Sequence, residues 1–121
     1  MFRDLDPKMF SRIYIACGHT DLRYGIDGLA NIVQSEFEMD PFEKGVLFMF
    51  CGRKSDRIKC LLWEGDGFLL LYKRIENGRF QWPRNSEEVM QMTPQQFKWL
   101  MEGLSIFQKK TVKEVHPKYV G

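Results

Sequence analysis

A chain of 121 residues with 44% hydrophobic and 14% aromatic side chains has the size of one ordinary domain and is too apolar to be intrinsically disordered. Its formal net charge of +2 conceals an asymmetry: residues 1–52 carry −3, residues 53–84 carry +4 and residues 85–121 carry +1. A local concentration of positive charge attracts polyanions even when the whole molecule is nearly neutral. No apolar run approaches the roughly 20 residues that span a bilayer, and Met1-Phe2-Arg3-Asp4 lacks the apolar block of a signal peptide, so a reducing cytoplasm is the expected compartment and no membrane partner is expected.

The segment Arg12 to Ala16 reads as a first strand, rich in β-branched and aromatic side chains. Cys17 to Asp21 is a turn, with Thr20 or Asp21 placed to cap a following helix. Leu22, Ile26, Leu29, Val33 and Phe37 recur at helical spacing and form one amphipathic face, which Asp40-Pro41 ends. Gly25 and Gly28 weaken that helix by about 1 kcal/mol each relative to alanine, and close packing on a sheet is the expected compensation.

Val46 to Cys51, an unbroken apolar run between Gly45 and Gly52, reads as a central strand covered on both faces. A polar loop, Gly52 to Asp56, leads into strands at Arg57–Glu64 and Phe68–Glu76. Asn77-Gly78 then carries the signature of a type I′ hairpin, predicting a last strand over Arg79–Trp82 stopped by Pro83. Residues 46–82 are thus expected to form an antiparallel meander. After a polar stretch, Thr93-Pro94 starts a second helix with the stripe Phe97, Leu100, Met101 and Leu104. The expected fold is α+β, a single domain over residues 1–121 with its core at about 12–104 and a flexible basic tail over 105–121.

The two turns set a register, and register sorts side chains between faces. A loop at Glu64–Gly67 places Trp63 opposite Phe68, Leu61 opposite Leu70, Lys59 opposite Tyr72 and Arg57 opposite Arg74. One face then holds Ile58, Cys60, Leu62, Leu69, Leu71, Ile75, Phe80 and Trp82, with Lys73 the charged intruder. The other holds Arg57, Lys59, Tyr72, Arg74, Arg79 and Gln81 at one end, and Leu61, Trp63, Phe68 and Leu70 at the other. Arg57 opposite Arg74 is a like-charge pair that solvation or a bound anion must relieve. Either this is a plain solvated face, with long stems lying over apolar neighbours, or it tracks phosphates with Arg53, Lys54, Arg57, Lys59, Arg74 and Arg79 while Tyr72 stacks on bases or sugars.

No nucleophile elbow, P-loop or dinucleotide fingerprint is present. Cys17, Cys51 and Cys60 form no C-x-x-C pair and read as free thiols. Cys17-Gly18-His19 offers two ligand types, but His116 is the one other histidine and no carboxylate spacing completes a zinc site. Asp21, Asp27, Asp56, Glu64 and Asp66 are the pool from which a metal-dependent nuclease would draw, yet capping and turn roles account for most of them. No catalytic residue, metal or cofactor is expected.

Several ordered blocks resemble a known family: Cys17 to Arg23, Gly25 to Leu29, Asp56 to Lys59, Trp63 to Phe68, Tyr72 to Arg74 and Gly78 to Pro83. Together they are similar to the TnpB-type, Orf2-like accessory protein of the insertion-sequence-66 class of bacterial transposable elements, over about residues 12–104. The resemblance implies a role in transposition beside a separate, larger transposase; taken with the basic face of the meander, the expected function is that of a non-catalytic accessory protein, with DNA of the element ends as the second expected partner. The resemblance transfers no catalytic residues. Tyr24 stands where the family pattern has a basic residue after Arg23, which moves the expected phosphate contacts from the first turn to the meander. A protein-interaction module docking through Trp63, Phe68 and Leu70 is the alternative reading. Neither reading fixes an oligomeric state.

Overall fold

The computed structural model describes residues 2–108. Its regular elements are β1 (Arg12–Ala16), α1 (Ile26–Ser35), β2 (Val46–Cys51), β3 (Arg57–Trp63), β4 (Phe68–Arg74), β5 (Val89–Met92) and α2 (Pro94–Met101), preceded by short 3-10 turns at Phe2–Asp4 and Pro7–Met9. The five strands form one sheet in the order β4-β3-β2-β1-β5. β1 and β2 run parallel, joined through α1, while the β2–β3, β3–β4 and β1–β5 pairs are antiparallel. The fold is α+β.

Alternation along the strands builds two cores. Ile13, Ile15, Leu47, Met49, Cys51, Ile58 and Cys60 point to one side, where Phe97, Leu100 and Met101 of α2 close over them. Ala16, Val46, Phe48, Phe50 and Leu61 point to the other, beneath Leu29 and Val33 of α1. Every residue of β2 is buried, as expected of an apolar run covered on both faces. The α2 start follows its sequence signal. Thr93 Oγ accepts from the Gln96 amide at 3.1 Å, Gln96 Oε1 accepts from the Thr93 amide at 2.9 Å, and Pro94 occupies the first helical turn. No helix among the described residues is long and apolar enough to cross a membrane.

The β3–β4 register is the one the turn lengths predict, with Arg57↔Arg74, Lys59↔Tyr72, Leu61↔Leu70 and Trp63↔Phe68 paired. The last strand of the expected meander does not form. After β4 the Ile75 amide donates to Asp56 O at 2.8 Å and the Phe80 amide to Ser55 O at 2.7 Å, so the chain folds back over the β2–β3 loop instead of pairing along β4. Burial explains the preference. Phe80 and Trp82 join the α2-side core, and the Trp82 indole N–H donates to Ala16 O at 2.8 Å; on a strand outside β4 neither ring would reach that core. The segment ends beside β1, where Val89–Met92 forms the strand that the polar stretch before Thr93 concealed.

Other expectations change in the same way. The N-cap of α1 is Gly25, with no side-chain cap, so neither Thr20 nor Asp21 caps it. It ends at Ser35, before Glu38 takes a left-handed conformation with φ of 54°. Gly28 makes room for a side chain on its own turn and not for the sheet: a Cβ there would sit 2.6 Å from Tyr24 Cδ1. At the other end Ile106 is 2% exposed in the α2-side core, and within the expected tail residues 109–121 lie outside the described residues.

A candidate nucleic-acid interface

Three pieces of chain meet at the ends of β2, β3 and β4. The β2–β3 loop is pinned from several sides: the Gly52 amide donates to Arg57 O at 3.1 Å and the Ser55 amide to Gly52 O at 3.1 Å. Ser55 holds a left-handed φ of 60°. Arg84 grips this loop, donating to Ser55 Oγ at 2.7 Å and to Arg53 O at 3.3 Å. The turn after β1 is fastened beside it by the Thr20 amide, which donates to Cys51 O at 2.8 Å. Arg57, Lys59 and Tyr72 complete the wall from β3 and β4.

Together these elements enclose an open cleft of about 640 Å³ lined by Arg23, Arg53, Lys54, Arg57, Lys59 and Tyr72, with His19, Thr20, Asp21, Leu22, Gly52 and Asp56 between them. Five Lys/Arg side chains therefore face two carboxylates. One carboxylate is already spoken for. Asp21 accepts from the Arg23 backbone amide at 3.0 Å and from its guanidinium at 2.7–3.1 Å, and those bonds hold its pKa down at about 2. Asp56 stands 3.9 Å from the Arg57 guanidinium, long for a hydrogen bond. Lys59 donates to Tyr24 O at 2.9 Å and lies 5.6 Å from the centre of the Tyr72 ring. Tyr72 itself is 56% exposed.

Of the seven residues expected to contact nucleic acid, Arg53, Lys54, Arg57, Lys59 and Tyr72 line this cleft, and Arg74 and Arg79 do not. Arg74 is paired with Glu76, its guanidinium 3.0 Å from Oε1, which relieves its repulsion with Arg57. The first turn contributes more than Tyr24's departure from the family pattern implied, since His19, Thr20 and Arg23 all reach the cleft. The Gly18-His19-Thr20-Asp21 run carried the signal, but as a turn and not as a helix cap. Arg84 acts behind the wall, and no sequence pattern marked it.

The expected docking residues sit elsewhere. Trp63 and Phe68 pack edge-to-face with ring centres 4.8 Å apart, and Phe42, itself 53% exposed, covers both at 5.1 and 5.2 Å. Leu70 packs against the α1-side core. Cys51 and Cys60 are buried free thiols and Cys17 is half-buried; among the described residues no group of three or more His, Cys, Asp or Glu side chains is placed to hold a metal ion.

Comparison with known proteins places the chain in a family. Two curated proteins of Sinorhizobium fredii are similar: uncharacterized protein y4jC, 34% identical over 83% of this chain and 85% of its own length, and uncharacterized protein y4hO, 38% identical over 77% and 80%. No solved structure matches. The family described as IS66 Orf2-like protein matches residues 11–111, a span holding the whole sheet, both helices and every residue of the cleft, and the chain belongs to it.

Proposed function

We propose that the chain is a non-catalytic accessory protein of bacterial DNA transposition that holds element DNA by its phosphates in the basic cleft. Membership in the IS66 Orf2-like family implies the transposition setting. The observation that carries the DNA reading is the gathering of Arg53, Lys54, Arg57 and Lys59 from one loop and one strand into a single concavity bordered by an exposed tyrosine. Guanidinium and ammonium groups there neutralise phosphates, and Tyr72 offers a face to a base or sugar. A mobility-shift titration with element-end DNA tests it. Retardation at low salt is expected, with log affinity falling against log salt at a slope of about −3.6 for four phosphate contacts. No retardation at low salt would remove DNA from the account.

The Phe42–Trp63–Phe68 cluster supports a second reading, docking of the separate transposase on an aromatic patch in which Phe42 is exposed and Trp63 and Phe68 are half-buried. Under that reading Trp63→Ala abolishes co-purification with the transposase and leaves DNA affinity intact. A divalent-metal nuclease makes the opposite chemical prediction, cleavage of bound DNA on adding magnesium or manganese; the accessory role predicts that the DNA is recovered whole.

A further inference from the structure

We propose that β4 is a self-association edge: two copies of the chain pair Phe68–Arg74 antiparallel, residue 71 against residue 71, and fuse their sheets across a two-fold axis. β4 is an outer strand. Its ladder with β3 is bracketed by the Glu64 amide donating to Gly67 O at 2.9 Å and the Ile75 amide donating to Asp56 O at 2.8 Å. Backbone direction alternates along an antiparallel pair. The odd-numbered residues of β4 therefore bond to β3, and Phe68, Leu70, Tyr72 and Arg74 aim their amides and carbonyls outward. Among the described residues nothing bonds to those outward groups. Sheets commonly guard an open edge with proline, a bulge or a central charge; β4 has an unbroken register, no proline, and its charges, Lys73 and Arg74, confined to one end.

That end-loading selects a second copy, running antiparallel, as the occupant. With Leu71 on the axis, Arg74 meets Phe68 of the other copy, Lys73 meets Leu69 and Tyr72 meets Leu70. Each cation then lies against an apolar or aromatic neighbour, whereas parallel self-pairing would set the cations side by side. Leu69, 37% exposed in the single chain, is covered by the stem of the second copy's Lys73. About eight backbone hydrogen bonds close the edge. Because the axis is normal to the sheet, both basic clefts open on the same side, with the two Tyr72 side chains close to the axis. This inference does not depend on the clefts binding DNA.

Sedimentation equilibrium of the full chain, over a series from low micromolar upward, is expected to show a monomer–dimer equilibrium. Leu69→Lys sets ammonium groups opposite each other at both symmetry-related pairs and should weaken dimerisation about tenfold. Adding Lys73→Glu should restore it. Residue-resolved hydrogen exchange should show the Leu70 and Tyr72 amides protected only as dimer fills. On oxidation Leu71→Cys should form a linked dimer, since the axial pair has Cα atoms about 4.5 Å apart. A monomer at every concentration overturns the proposal. So does a dimer that ignores Leu69→Lys, and so does concentration-independent protection of those amides, which would place another part of the same chain on the edge.

Discussion

Lys59 Nζ donates to the carbonyl of Tyr24 at 2.9 Å, tying β3 to the turn that precedes α1. The bond fixes one cation of the basic cleft. Lys59→Met keeps the stem and removes the donor. It should cost about 1 kcal/mol, a fall in melting temperature of about 4 °C for a domain of this size, and calorimetry reads it directly.

Tyr24 has a second relationship, with Gly28. A glycine inside a helix ordinarily gains about 1 kcal/mol on replacement by alanine. Here the added methyl falls 2.6 Å from Tyr24 Cδ1 and 3.0 Å from its Cβ, an atom too close to the backbone to swing clear cheaply. Gly28→Ala should therefore destabilise the protein by about 1 kcal/mol or more. The same change made on Tyr24→Ala should stabilise it. Urea unfolding of the four proteins in this cycle isolates the contact.

The Asp21–Arg23 clamp makes a pH prediction. Asp21 is depressed to about 2 from an ordinary 3.8, chiefly by its hydrogen bonds to Arg23. A depressed carboxylate contributes stability above its unfolded value and loses it as pH falls through the folded one. The clamp is thus intact from neutral pH to about 4 and opens between there and about 2. A carboxyl-carbon NMR titration should find Asp21 titrating near pH 2, and Arg23→Gln should return it toward 3.8.

The thiols predict a reactivity order. Burial raises Cys51 to about 12 and pushes Cys60 higher still, while Cys17, half-buried, is raised by desolvation and by Glu87. A thiolate reagent at pH 8 should label Cys17 slowly and leave the other two untouched until the protein unfolds.

The parts legible in the sequence are those fixed by local signals. The Gly-flanked run Val46–Cys51 and the Glu64–Gly67 turn gave the central strand and the β3–β4 register residue by residue. The inward direction of Phe80 and Trp82 was also readable, since both rings demand burial. Their path was not. A hairpin at Asn77-Gly78 satisfies local geometry, but the core lies toward β1, and the Trp82 bond to Ala16 spans 66 residues that no local pattern connects. β5 escaped because four residues, Val-Met-Gln-Met, between acidic and polar neighbours carry little periodicity; pairing with β1 supplies what the sequence lacks. In the cleft, the meander cations were foreseeable from register. The approach of the β1–α1 turn, and the Glu76 partner that takes Arg74, depend on tertiary placement.

Phosphate binding in the cleft is tested most directly by fluorescence anisotropy of labelled duplex DNA, titrated at several salt concentrations, with the variant carrying Arg53→Ala, Lys54→Ala and Arg57→Ala together. Lys98→Ala on α2, which covers the opposite face of the sheet, serves as a single-charge control. Losing three phosphate contacts should flatten the salt slope by about 3 and weaken binding at every salt, while the control retains the full slope. Equal slopes for the triple variant and the unaltered protein would contradict the account.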